Sequence, residues 1–265
     1  MPTSIYAHQT FNCELTTAIT LMEYLAQELT DGIIDCVPLE CMRSCSLVAR
    51  NWRRRSQQRN FEIIWFKNED LAGRWYTRIS QDPEGIPSYV RLAQFGGLSY
   101  CREPGMLDRI LRCFVNLRSL RLIQVELSLL SEQRNPIRFD NFGRGVTELL
   151  INNPVCTYST FISLILSLPC LDNLVLLNPE PKGTPPPTSL STPKRVLKEL
   201  SLSRGRLEVA ITLSQCPLSF RTIVIYRPPC MEGSSAGLRA LIAASSGTVR
   251  NITIGGKFLL SLIYN

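Results

Sequence analysis

Apolar residues recur along the second half of this chain in one hexad, apolar-x-x-apolar-x-apolar. Leu117, Leu120 and Leu122 fit it in "LRSLRL", and Val146, Leu149 and Ile151 in "VTELLI". Leu171, Leu174 and Leu176 follow in "LDNLVL", then Leu197, Leu200 and Leu202 in "LKELSL". Phe220, Ile223 and Ile225 ("FRTIVI") and Val249, Ile252 and Ile254 ("VRNITI") complete six copies. A frayed earlier copy, "VRLAQF", has Ala93 at its centre. The starts of the six are 29, 25, 26, 23 and 29 residues apart. Alternation of the last apolar pair predicts a short strand with both side chains in one core. Between strands, "PGMLDRILRCFVN" predicts a helix with Leu107, Ile110, Leu111 and Phe114 on one face. "YSTFISLILSLP" predicts another, with Ser159 as N-cap and Pro169 after its end. "RLEVAITLSQCP" and "SSAGLRALIAASSG" predict two more, whereas the proline-rich stretch 178–194 predicts an exposed loop.

Strand units at this spacing are similar to leucine-rich repeats, in which each unit buries its face only against its neighbours. The expected fold is α/β: a solenoid of parallel strands with helices or loops on the convex side. The residues between the paired apolar positions, Arg121, Leu150, Val175, Ser201, Val224 and Thr253, would then face the concave side and meet a target. Solenoids need polar caps, yet the chain ends "GGKFLLSLIYN". Either this segment folds over the array or the array is incomplete at its C-terminus.

The stretch "LAQELTDGIIDCVPLECMRSCSLVARNW", residues 25–52, reads as a separate helical module. Asp31 is a start signal for a helix bearing Ile33, Ile34 and Val37, and Pro38 ends it. A second helix from about Cys41 would place Cys45, Val48 and Trp52 on one side. Two such helices carry more apolar surface than they can bury between themselves.

"LAQEL", "GIID" and above all "CSLVARNW" resemble the F-box, in the form common among fungal F-box-like proteins, over about thirty residues. Ala26 stands where that pattern has proline, Ala49 where it has cysteine, and the inter-helix link is shorter than usual. The resemblance implies a short F-box-like module docking a Skp-type adaptor of a cullin ubiquitin ligase. Its repeats would bind the protein to be ubiquitinated. By position, Leu25, Leu29, Ile33, Ile34, Leu47, Val48 and Trp52 would contact the adaptor; an aromatic among aliphatics is also the composition of an interface hot spot. The alternative is a repeat scaffold whose N-terminal module only caps the solenoid. The expected organisation is a flexible segment 1–20, an F-box-like module 21–66 and an irregular repeat domain 67–265.

Composition narrows the choice of function. The chain is 45% hydrophobic and 19% charged, hence globular. No apolar run nears the ~20 residues of a membrane span. No basic-then-apolar leader opens it, so a cytoplasmic or nuclear setting is expected. The ten cysteines include no Cys-x-x-Cys pair, and His8 is the only histidine. Reduced thiols, no zinc and no Ser-His-Asp or Cys-His catalysis are expected; a metal shared by Cys41 and Cys45 would lack further ligands. "FGRG" and "IGG" are too short for phosphate loops and mark turns. No cofactor is implied, and the expected protein is not an enzyme. The net charge of +7 is uneven: six arginines and no acid lie between Arg43 and Arg59. After Glu180 there are eleven Lys and Arg against three Glu. "RRRSQQR" is read as a solvated helix face, the rival being a nucleic-acid patch, and the C-terminal basic excess suits an acidic protein target.

Overall fold

A computed structural model describes residues 26–81, 85–97, 106–127, 143–184, 195–203, 207–226 and 234–255. Segment 1–20, Leu25, the proline-rich residues 185–194 and the apolar tail 256–265 lie outside them. The chain divides into two compact units, Met1–Ile63 and Ile64–Asn265.

The first unit holds three helices, α1 (Gln27–Cys36), α2 (Met42–Val48) and α3 (Arg50–Phe61), with a 3-10 turn at Leu39–Cys41. Pro38 stands immediately before that turn, where its fixed φ suits the entry and its missing N–H costs nothing. The single second helix expected from Cys41 through Trp52 is instead broken at Ala49, whose backbone is extended (φ −150°, ψ 161°). The break lets α2 and α3 turn toward one small core of Ile34, Met42, Cys45, Ala49 and Trp52, with Val37 against it. Packing there outweighs the helical preference of alanine.

The second unit is an α/β array in which eight parallel strands follow one another in sequence order, with helices in five of the seven connections among the described residues. The strands are β1 (Ile63–Phe66), β2 (Leu92–Gly96), β3 (Ser119–Ile123), β4 (Glu148–Asn152), β5 (Asn173–Leu177), β6 (Arg195–Ser203), β7 (Leu218–Tyr226) and β8 (Asn251–Ile254). The helices are α4 (Glu69–Gln81), α5 (Ile86–Tyr89), α6 (Met106–Cys113), α7 (Tyr158–Leu166), α8 (Leu207–Gln215) and α9 (Ser234–Ala244). Register follows the hexads: Ala93, Leu120, Leu149, Leu174, Leu200, Ile223 and Ile252 are paired in succession across β2–β8. So are Phe95, Leu122, Ile151, Leu176, Leu202, Ile225 and Ile254. Up to β7 these side chains are buried, joined in one cluster with Leu107, Ile110, Leu111, Phe114, Phe161, Leu164, Ile165 and Leu168 from the helical segments. At the first strand, Phe66 stacks on Phe95 at 4.6 Å and meets Trp75 edge-on at 6.3 Å.

A second periodicity runs behind the first. The residue after the strand is left-handed at Gly97 (φ 66°), Gln124 (52°), Asn153 (48°), Asn178 (45°) and Gly255 (89°). Gly97, Gln124, Asn153 and Asn178 donate their N–H to the last residue of the following strand, at 2.8–3.1 Å. The sharp turn after these five strands therefore takes φ > 0. Glycine and asparagine adopt it at least cost, and Gln124 is the costly exception. The N-cap of α7 is Thr157 rather than the expected Ser159: Thr157 Oγ1 accepts from the N–H of Thr160 at 3.2 Å.

Candidate docking surfaces

On α1 the residues Thr30 and Ile34 point inward, so Leu29 and Ile33, one position earlier on each turn, point to solvent. Leu29 is 60% exposed and Leu47, near the end of α2, 78%; Ile33, Leu39 and Val48 are exposed as well. Their exposure is the structural counterpart of the apolar surplus in the sequence. Two residues expected at the same surface are elsewhere: Ile34 is fully buried and Trp52 is 6% exposed. Both make the core on which the helices pack, so a partner would touch the aliphatics around them. Leu25 lies outside the described residues.

The arginines after Trp52 are not one solvated face. Arg55 donates to both carboxylate oxygens of Asp35, at 2.8 and 2.6 Å, and its side chain holds that carboxyl below the usual carboxylate range. Arg59 donates to the carbonyl of Val37 at 2.9 Å and to that of Ile34, which also accepts the Val37 N–H, both at the end of α1. Thus α3 clamps the C-terminal end of α1 by charge and by capping, a role the sequence reading missed. Its signal was the pairing of Asp35 with arginines twenty or more residues later. Arg53 and Arg54 remain exposed. Among the described residues, Thr30 Oγ1, Trp52 Nε1 and Ser56 Oγ are buried without a hydrogen-bond partner.

In the strand unit the six residues expected on the target-binding face do share one ladder: Arg121, Leu150, Val175, Ser201, Val224 and Thr253 are paired in register across β3–β8. They are not equally accessible. Arg121, Leu150 and Val175 are half-buried, Thr253 is exposed, and Ser201 (3%) and Val224 (9%) are buried. Side chains on strands about 4.8 Å apart cover one another, so the middle of the ladder presents little surface. Ser201 also donates to Glu199 at 2.8 Å. Arg195 is occupied internally: it donates to the carbonyls of Leu168 (2.6 Å) and Ile165 (3.4 Å) beyond and within the end of α7, and burial lowers its pKa.

Among the described residues no group of three His, Cys, Asp or Glu could hold a metal ion. Cys45 is buried and Cys41 is exposed. Burial pushes the thiols of Cys156 and Cys216 up to about 12. Among the described residues no helix is long and apolar enough to cross a membrane. No protein-family model matches the chain, and no curated protein matches it.

Proposed function

We propose that this chain is a non-enzymatic substrate-recognition adaptor of a Skp–cullin–F-box ubiquitin ligase. The N-terminal helical unit, read as an F-box-like module, docks a Skp-type adaptor. The strand unit, read as irregular leucine-rich repeats, holds the protein to be ubiquitinated, in the cytoplasm or nucleus. The observation that carries the reading is the exposure of Leu29, Ile33, Leu47 and Val48 around a closed core of Ile34, Met42, Cys45 and Trp52. Burying one such leucine on a partner contributes about 1.5–3 kcal/mol. Exposed aliphatics of this kind can anchor an interface when a partner buries them.

The test is capture of a purified Skp-type adaptor by the full chain and by Leu29→Ala/Leu47→Ala. Both side chains are exposed, so the variant keeps its core. Retention of the adaptor by the parent and a loss of at least about tenfold in the variant are expected. A folded parent chain that does not bind the adaptor would refute the reading and leave a repeat scaffold.

A further inference from the structure

The hexads carry a second signal, at the residue following the first apolar position. In chain order it is Arg91, Arg118, Thr147, Asp172, Lys198, Arg221 and Arg250. The structure joins these residues into one row. Arg118 donates its N–H to the carbonyl of Arg91 (2.8 Å), Thr147 to Arg118 (2.9 Å), Asp172 to Thr147 (2.9 Å) and Lys198 to Asp172 (2.8 Å). Lys198 lies opposite Arg221, between the pairs Leu197–Phe220 and Glu199–Thr222, and Arg250 donates to the carbonyl of Arg221 at 2.7 Å. All five basic side chains are exposed.

Like charges on directly opposed residues of neighbouring strands are unfavourable. Yet Arg221 and Arg250 are placed so, beside Lys198. Among the described residues Arg118, Arg221 and Arg250 form no ion pair, whereas Lys198 is shared with Asp172 at 2.7 Å. The row is thus two basic clusters, around Arg118 and around Arg221–Arg250. Between them lies an interval occupied by Thr147 and Asp172, with exposed Glu148 next to Thr147. From Arg118 to Lys198 is three strand steps, roughly 14 Å, the reach of about four extended residues.

We propose that this row is where the strand unit takes its target, and that the target is an acidic polypeptide segment crossing the strand entries. Its two acidic clusters would be separated by a short uncharged stretch. A polypeptide can leave the interval over Thr147 and Asp172 uncharged. A nucleic-acid backbone carries charge at every step and would bring phosphates against Asp172. The inference rests on reading the strand unit as target-binding. It also shifts the contact away from the ladder of Ser201 and Val224, which is too buried to offer one.

The experiment is fluorescence anisotropy of the full chain with a labelled peptide bearing two glutamate runs joined by a short Gly/Ser spacer. An oligothymidylate of equal charge runs in parallel. Expected are saturable binding of the peptide that weakens with salt, a loss of about tenfold or more in Arg221→Glu/Arg250→Glu, and no change in Arg53→Glu. Arg221→Gln/Arg250→Gln, which adds no acid, serves if the first variant does not fold. Tighter binding of the oligothymidylate, equal losses in Arg53→Glu, or no peptide binding would each overturn the proposal. Adaptor capture reads the other unit. A chain that docks adaptor but ignores the peptide sinks the row alone, and the converse sinks the ligase reading alone.

Discussion

The left-handed turn that follows β3 makes a quantitative demand on Gln124. Its φ of 52° is imposed by the repeat, since the N–H must reach the carbonyl of Asn152 at 2.8 Å. A non-glycine residue in that region costs about 1–2 kcal/mol. Glycine removes that cost but adds about 0.5–1 kcal/mol of unfolded-chain freedom. The side chain of Gln124 is exposed, so its removal gives up little packing. Gln124→Gly should therefore stabilise the strand unit by about 0.5–1 kcal/mol, with the backbone bond kept. At about 2–4 °C per kcal/mol for a unit of this size, the thermal midpoint should rise by roughly 1–4 °C. Gln124→Asn should move it the same way by less. The control is Gly97→Ala, at φ 66°, where an added Cβ would stand 3.5 Å from the carbonyl oxygen of Lys67. That is ordinary contact, so the expected loss of about 1 kcal/mol comes from the backbone alone. Thermal and urea unfolding followed by far-UV circular dichroism measure all three. A midpoint lowered by Gln124→Gly would refute the claim that the turn is under conformational strain.

Other outcomes follow from single contacts. Arg195→Met removes the guanidinium donor from the carbonyls of Ile165 and of Leu168, the latter keeping the Leu171 N–H, and should cost about 1–2 kcal/mol in the same titration. Ser56→Ala removes a buried hydroxyl that has no partner, so stability should rise by about 0.5–1 kcal/mol; a loss would show that Ser56 is bonded in solution. Cys36, Cys41 and Cys170 are exposed and should react with a thiol reagent in the folded chain, while Cys156 and Cys216 should react only on unfolding. Those two thiols, raised to about 12 by burial, keep their protons when the unfolded chain has lost them. Their contribution is complete below about pH 9 and is lost as pH climbs toward 12, a decline that Cys156→Ser/Cys216→Ser should flatten.

The repeat was legible because its signal is an apolar period that only one arrangement buries. The second and third apolar positions of every hexad from Leu120 onward pair with their counterparts in the next strand, and the frayed copy centred on Ala93 pairs with Leu120. One copy went unread. Phe61, Ile64 and Phe66 in "FEIIWF" keep the same hexad and supply β1, but Phe61 is also the last residue of α3, and Ile63 and Trp65 blur the alternation. The break at Ala49 could not be read, because alanine favours the helix and only the shared core of Cys45 and Trp52 overrides it. The same loss of information explains Ile34 and Trp52. An apolar residue in a small helical module reads alike whether it faces the core or a partner, and one residue along α1 separates buried Ile34 from exposed Ile33. Arg55 and Arg59 were hidden for a different reason, since their partners on α1 are distant in sequence.

The most direct test of the proposed adaptor role is amide hydrogen exchange of the full chain with and without a Skp-type adaptor. Docking through Leu29, Ile33, Leu47 and Val48 predicts added protection across Gln27–Cys36 and Leu39–Val48, with the amides of β3–β7 unchanged. Added protection confined to the strands, or none at saturating adaptor, would contradict it.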